Sequence, residues 1–281
     1  MTEKFGLIGY PLGHSMSAYI HNAGFKSLGR DARYEILETS PENLVDRIKT
    51  LRRENYLGFN VTIPHKVPMA LFVDEFDNYA DITGAINTVK INSDGTLSGY
   101  NTDVVGFRTA IPEDIILSEK KVAVLGTGGA SRAVVMGLSE CGVAEIGVYT
   151  RNIPNALGYM KFLRAKFPNI TFTAYQIDRF KNLSDYDAVV NTTPIGMQGY
   201  SADMTPIERA ELETLPKTAL IYDIIYNPKK TVLLKTAEVL GLRTVNGADM
   251  LVRQAIAAQK IWLGQTPDFA EMKIAFWENC D

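Results

Sequence analysis

The chain has 281 residues, 46% of them hydrophobic and 22% charged, with a net charge of −3 at pH 7. That length supports two domains with separate cores, and the weakly acidic balance leaves no basic stripe for nucleic acid. Two cysteines, Cys141 and Cys280, make no disulfide framework and point to a reducing cytoplasm.

Met1 to Lys4 runs straight into a strand pattern, without the apolar region of a signal peptide. No apolar stretch approaches the roughly 20 residues that span a bilayer, so no membrane partner is expected. Phe5 to Gly9 reads as a short buried strand and Ser17 to Leu28 as an amphipathic helix. Arg33 to Glu38 is a second strand, followed by a helix with Ser40 as N-cap and Pro41 at its first position. Gly58 to Val61 is a third strand. Asn87–Asn92 and Thr96–Asn101 form a hairpin about Ser93-Asp94-Gly95, where Asp-Gly suits the turn. A helix over Asp103–Ile111 then leads into a regular alternation of strands and helices. Its strands are Lys121–Leu125, Glu145–Thr150, Ile170–Ala174, Asp187–Asn191, Ala219–Ile224 and Arg243–Asn246. Ser131–Cys141, Asn155–Phe167 and Lys229–Leu240 have helical spacing, and a long helix covers Asp249–Leu263. This order predicts an α/β chain: a mixed sheet first, then a doubly wound parallel sheet.

The strand ending at Leu125 runs into Gly126-Thr127-Gly128-Gly129-Ala130-Ser131, which opens a helix. Glycines there permit a tight turn and close approach of backbone to a pyrophosphate, while the helix start supplies amide donors. Ser131 stands in place of the third glycine of the usual fingerprint. A structural turn is the plainer alternative. NAD sites commonly place Asp or Glu about 20 residues beyond the turn. Here the next strand ends Tyr149-Thr150-Arg151-Asn152, with no carboxylate. Arg151 can pair with a 2′-phosphate and stack on adenine, with Thr150 and Asn152 as donors, so NADP is the expected cofactor. A surface arginine at a strand end is the competing explanation. The three histidines, His14, His21 and His65, have no spacing to Cys or carboxylates that suggests a metal, and none is expected.

Gly58-Phe59-Asn60-Val61-Thr62-Ile63-Pro64-His65-Lys66 and Gly99-Tyr100-Asn101-Thr102-Asp103 each end a strand with polar groups and one ionisable residue. A lysine and an aspartate so placed can handle the proton of an alcohol. Taken singly, Lys66 reads as a solvated charge and Asp103 as a helix N-cap. Asn87, Ser15 and Ser17 read as turn formers or caps.

Together with Gly9–Ser17, Gly84-Ala85-Ile86-Asn87-Thr88, Asn191–Met197, Tyr222–Pro228 and Gly247–Gln254, these stretches resemble the shikimate dehydrogenase family nearly end to end. The resemblance implies an N-terminal α/β substrate domain with mixed sheet and a Rossmann-type doubly wound NADP-binding domain. The substrate domain would be discontinuous, 1–102 and 247–281, with 103–246 binding NADP. Lys66 and Asp103 would form the catalytic pair. Ser15, Ser17 and Tyr226 would hold the substrate carboxylate, and Thr62, Asn87 and Gln254 the ring hydroxyls. Gly126, Thr127, Gly128, Gly129 and Ala130 would cradle the pyrophosphate, and Thr150, Arg151 and Asn152 would meet the adenosine phosphate. Ile224, Gly247 and Met250 would lie along the nicotinamide. Ala18 stands where many relatives carry proline, and Asn155 where some NADP users carry a second arginine.

The implied activity is NADP-dependent reversible reduction of 3-dehydroshikimate to shikimate in aromatic amino-acid biosynthesis. Quinate or aminoshikimate dehydrogenation, with NAD as a possible cofactor, is the alternative within the family. A non-catalytic NADP- or shikimate-binding regulator is the alternative outside it. The expected partners are small molecules only, with the chain acting in the cytoplasm as a monomer or homodimer.

Overall fold

The computed structural model describes residues 2–13, 15–177 and 183–280. They divide into two compact units, 1–106 with 252–280, and 107–251. No helix among the described residues is long and apolar enough to cross a membrane.

The first unit is built on a mixed sheet. Strands β1 (Glu3–Gly9), β2 (Ala32–Glu38) and β3 (Tyr56–Val61) lie parallel, with β1 between the other two. The continuous apolar run of β1 suits a strand covered on both faces. Helix α1 (Ser17–Ser27) and helix α2 (Leu44–Arg53) connect them, and α2 buries Leu44, Ile48 and Leu51 on one stripe. Where sequence spacing predicts a helix from Pro41, residues Pro41–Asn43 instead form a single 3₁₀ turn. Ser40 accepts from the Asn43 amide at 2.9 Å rather than from a helix N–H. A tight entry turn of this kind is common at helix starts.

Several elements escape the sequence pattern, among them strand β4 (Glu75–Phe76) and helix α3 (Asn78–Thr83), capped by Asp77 and closed by Gly84 at φ 59°. The predicted hairpin is present as β5 (Thr88–Ile91) and β6 (Leu97–Tyr100), antiparallel to each other, with Gly95 at φ 84°. The sheet order is β2-β1-β3-β5-β6-β4. Because β3 and β5 run antiparallel with Asn60 opposite Thr88, the end of one strand meets the start of the other.

Helix α4 (Thr102–Ala110) follows, and the second unit then forms around six parallel strands. These are β7 (Lys121–Leu125), β8 (Glu145–Thr150), β9 (Thr171–Gln176), β10 (Ala188–Asn191), β11 (Leu220–Asp223) and β12 (Arg243–Val245). Their order, β12-β11-β10-β7-β8-β9, is the doubly wound arrangement that places ligands at the carboxyl ends of the strands. Helices α5 (Gly129–Glu140), α6 (Ile153–Lys166), α7 (Arg209–Leu212) and α8 (Val232–Val239) accompany the strands. Helix α8 starts later than its spacing suggests because Thr231 caps it, accepting from Leu234 N–H at 3.3 Å.

Helix α9 (Ala248–Leu263) leads back into the first unit, where α10 (Phe269–Asn279) ends the described chain. Trp262 of α9 stacks on Phe5 with ring centroids 4.9 Å apart and donates to Val89 O at 3.0 Å. Gly58 makes this contact possible, since a β-carbon there would fall inside the indole ring. Gly58→Ala is therefore expected to displace Trp262 and destabilise the protein by ~1–3 kcal/mol, the range for overpacking a core. Urea denaturation of parent and variant reads this directly; equal midpoints would show that the indole has room to move.

Candidate active site

At the carboxyl end of β3 the chain turns through Thr62 to Lys66. His65 N–H donates to Thr62 O at 2.8 Å, and Ile86 N–H donates to Lys66 O at 2.8 Å. The His65 ring is buried, with Nε2 2.6 Å from Thr39 O, so the turn is held from both sides. Lys66 Nζ then donates to Asp103 Oδ2 at 2.6 Å, with side chains only 16% and 10% exposed. Asp103 lies in the first turn of α4 and is not its N-cap. Asn101 fills that role, its Oδ1 accepting from Asp103 N–H at 3.2 Å, which leaves the Asp103 carboxylate available for the lysine.

Asn87 donates to the other carboxylate oxygen, Asp103 Oδ1, at 2.7 Å, and also to Thr102 Oγ1 at 2.9 Å. Gln254 Oε1 lies 3.5 Å from both Asn87 Nδ2 and Thr102 Oγ1. Four sequence-predicted residues, Lys66, Asn87, Asp103 and Gln254, thus meet in one cluster. Thr62 is half-buried beside it in sequence, its N–H bonded to Ile8 O at 2.9 Å. Ser15 and Ser17 are half-buried at the start of α1, where Ser17 N–H donates to Ser15 Oγ at 3.3 Å. His14 lies outside the described residues.

Sequence reasoning gave no role to Tyr34, Asn60, Thr88 or Thr102, all buried polar residues that bond to the cluster or to each other. A polar Asn60 inside the buried run Phe59–Val61 was the available signal, since a buried amide must find partners. His21 lies behind them, wholly buried and stacked on Tyr34 with centroids 4.1 Å apart.

In the second unit the turn after β7 has the geometry a dinucleotide needs. Gly126 adopts φ 105°, and a β-carbon there would come within 2.8 Å of Thr192 Oγ1. A β-carbon on Gly128 would point into open space, so the amides opening α5 are accessible. The hydroxyl of Ser131, in place of the third glycine, donates to Gly126 O at 2.7 Å. Buried polarity is thereby satisfied without a third glycine. Thr127 and Thr150 hydroxyls lie 3.0 Å apart, and Asn152 N–H donates to Thr150 Oγ1 at 3.0 Å. Asn152 caps α6 by accepting from Asn155 N–H at 3.1 Å. Arg151 is exposed and makes no hydrogen bond or ion pair among the described residues.

Ile224 and Gly247 are in direct contact: a β-carbon on Gly247 would overlap the Ile224 carbonyl. Gly247 N–H also donates to Ile225 O at 3.1 Å. Met250 is buried one turn later and Tyr226 is half-buried after β11. Asp223, which sequence reasoning passed over, braces this loop by accepting from Asn191 at 3.0 Å, Ile225 N–H at 3.1 Å and Thr231 at 2.7 Å. Burial outweighs these donors and pushes its carboxyl up to about 6. No group of His, Cys, Asp and Glu among the described residues is arranged to hold a metal ion.

A protein of Methanocaldococcus jannaschii named shikimate dehydrogenase (NADP(+)) is 39% identical over 280 residues, 98% of this chain and 96% of its own. The chain belongs to the shikimate dehydrogenase family. Residues 7–89 match the family model for the shikimate dehydrogenase substrate binding domain. The crystal structure of a shikimate dehydrogenase in complex with NADP+ superposes with a TM-score of 0.91 at 36% identity, covering 100% of this chain and 96% of that one. Quinate dehydrogenase from Corynebacterium glutamicum in complex with NAD gives a TM-score of 0.89 at 28% identity, covering 99% of each chain.

His21 carries a pH signature of its own. Burial lowers its imidazole from 6.5 to about 3. As pH falls through that window the unfolded chain takes up a proton that the folded chain refuses, so stability falls with pH. His21→Gln should flatten the dependence of unfolding free energy on pH across the window, read from urea midpoints at its two ends. Identical slopes in parent and variant would assign the acid sensitivity to other groups.

Proposed function

We propose that this member of the shikimate dehydrogenase family catalyses the NADP-dependent, reversible reduction of 3-dehydroshikimate to shikimate, a step of aromatic amino-acid biosynthesis. The observation that carries the reading is the Lys66–Asp103 pair, 2.6 Å apart and largely withdrawn from water. Near full-length similarity to proteins named NADP(+)-dependent shikimate dehydrogenases supports it. A cytoplasmic setting fits the absence of a disulfide between Cys141 and Cys280.

NADP, when bound, would supply or accept the hydride; this chain's residues handle the proton and the positions. In the reducing direction the carbonyl oxygen gains negative charge as carbon gains hydride. Lys66 gives that oxygen a proton and becomes neutral, to be reprotonated from solvent. In the oxidising direction the neutral amine takes the proton of the alcohol. Asp103 already accepts from Lys66 on one oxygen and from Asn87 on the other. It therefore serves as the fixed anion that aims the ammonium group, and Lys66 exchanges the proton.

Ser15 and Ser17 would hold the ring carboxylate, while Thr62, Asn87 and Gln254 would read the hydroxyls. Neutral groups of this kind reject analogues that lack a hydroxyl, because a partner would be left unpaired. In the second unit Gly126 to Ala130 would receive the pyrophosphate. Arg151, exposed and without a hydrogen bond or ion pair among the described residues, would meet the 2′-phosphate beside Thr150 and Asn152.

Initial rates with shikimate and quinate, each against NADP and NAD, test the reading. The highest kcat/KM is expected for shikimate with NADP. Preference for quinate with NAD would move the protein to the quinate branch, and ligand binding without turnover would make it a regulator. Lys66→Ala should lower turnover by ~10²–10⁴-fold, the scale of a general acid–base group, with little change in NADP affinity. Near-normal turnover in that variant would overturn the role given to Lys66. Arg151→Asp should raise the NADP KM about 10-fold or more, the worth of a charge-assisted bond, and narrow or reverse the preference over NAD. Unchanged constants for both cofactors would remove Arg151 from the phosphate site.

A further inference from the structure

Two amides buried in the first sheet, Asn87 and Asn60, each have a single allowed orientation. Asp103 Oδ1 accepts from Asn87 Nδ2 at 2.7 Å, and Thr102 N–H donates to Asn87 Oδ1 at 2.8 Å. A carboxylate only accepts and a backbone N–H only donates, so the Asn87 amide has one allowed orientation. The Thr88 hydroxyl, 3.0 Å from that oxygen and 3.1 Å from Thr102 Oγ1, gives its proton to one of the two. Thr88 Oγ1 must then accept, and Asn60 Nδ2 donates to it at 2.9 Å. Asn60 Nδ2 also donates to the main-chain carbonyl of Asn87 at 3.0 Å, a group that can only accept. Asn60 Oδ1 is left facing the Tyr34 hydroxyl at 2.7 Å. The proton in that bond has to come from Tyr34.

Tyr34 sits on the edge strand β2, with β1 between it and β3. Asn22 accepts from its N–H at 2.9 Å and donates to its carbonyl at 3.4 Å, while the His21 ring stacks on its own. Burial holds the Tyr34 phenol well above its ordinary range and the His21 imidazole down at about 3, so both rings stay neutral. At the other end, Lys66 is the charged group bonded to Asp103. The nearby Asp77 carboxyl accepts from Ala80 N–H at 2.6 Å and Asn101 N–H at 3.3 Å, and Thr102 and Gln254 are neutral.

We infer that Tyr34 is a positioning residue for the reaction. Its hydroxyl anchors the far end of a one-way chain through Asn60, Thr88 and Asn87 that holds Asp103, and through it Lys66, in register. Without that hydroxyl, Asn60 Oδ1 loses its 2.7 Å donor and is left with only the neighbouring His21 imidazole. Rotating the amide offers no relief, because its oxygen would then face the Asn87 carbonyl. A shift of Asn60 toward the imidazole would draw on the Asn87–Thr88 segment to which it is bonded, and that segment carries the donor to Asp103.

The inference rests on the dehydrogenase reading above, which parental turnover of shikimate with NADP tests by itself. Variant-to-parent ratios test the role of Tyr34. Tyr34→Phe and Thr88→Val are each expected to lower kcat by about 10- to 100-fold, the scale on which a small misplacement of reacting groups acts. Each should leave the NADP KM unchanged, so that the loss falls on kcat. The double variant should be no slower than the slower single variant, since both cut the same chain. Circular dichroism and thermal unfolding separate a lost fold from a lost position, and Thr88→Val carries the test if Tyr34→Phe does not fold. Full kcat in either folded variant would overturn the inference. So would effects that multiply in the double variant.

Discussion

An ion pair withdrawn from water survives only when the atoms it leaves unpaired are satisfied by other donors and acceptors. In this protein that requirement falls on Asp103, whose two oxygens receive Lys66 and Asn87. Meeting it demands an amide of fixed orientation beside the carboxylate, and a second amide to hold the first. The mixed sheet is what makes the arrangement possible. A parallel β3 followed by an antiparallel β5 places Asn60 opposite Thr88, and β6 then places Tyr100 opposite Thr88. Asn87 and Thr102, which border those strands, are thereby drawn together. An all-parallel sheet would send both segments to the same edge and leave Asn60 without Thr88 as a neighbour.

The second unit satisfies its buried polarity by different means. Its six strands are parallel, so the carboxyl ends gather at one edge and the polar work is done there. Backbone amides at the Gly126 turn present donors without side chains, and Ser131 closes the turn by bonding back to Gly126. Asp223 performs the bracing role that Asn87 performs in the first unit, but with loop N–H groups and neutral side chains as donors. Lacking a cationic partner among them, its carboxyl is pushed upward by burial. Gly247 completes the loop because no side chain can share space with the Ile224 carbonyl.

Much of this was legible in the residues, for reasons that differ by region. Periodicity located the six strands of the second unit because parallel strands covered on both faces are nearly continuous apolar runs. The glycine turn was legible because its conformation is almost a property of glycine alone, as the φ of Gly126 bears out. Short elements such as β4, α3 and α7 were invisible, since two to six residues carry too little periodic signal. Lys66 and Asp103 were ambiguous one at a time because their partnership spans 37 positions and depends on sheet register. Asp103 in particular looked like a cap until Asn101 proved to hold that place. The network behind them was unreadable for a stronger reason. Which way an amide points depends on donors and acceptors brought by three other strands, and no local pattern encodes that.

These two modes of construction set how each site can vary. Arg151, proposed to meet the adenosine phosphate, is exposed and makes no hydrogen bond or ion pair among the described residues, so its replacement breaks none. On that proposal, cofactor preference can change through one side chain at small cost to the fold. The proton site is bound into a run of amides and hydroxyls whose orientations are mutually dependent, with Thr102 N–H and Asn87 O as fixed ends. Reversing any one amide would place like groups face to face, so changes there have to be made together or not at all. Buried polar networks with a single allowed polarity therefore restrict chemistry more tightly than binding. What the backbone of this chain has to preserve is the strand register that orients the amides.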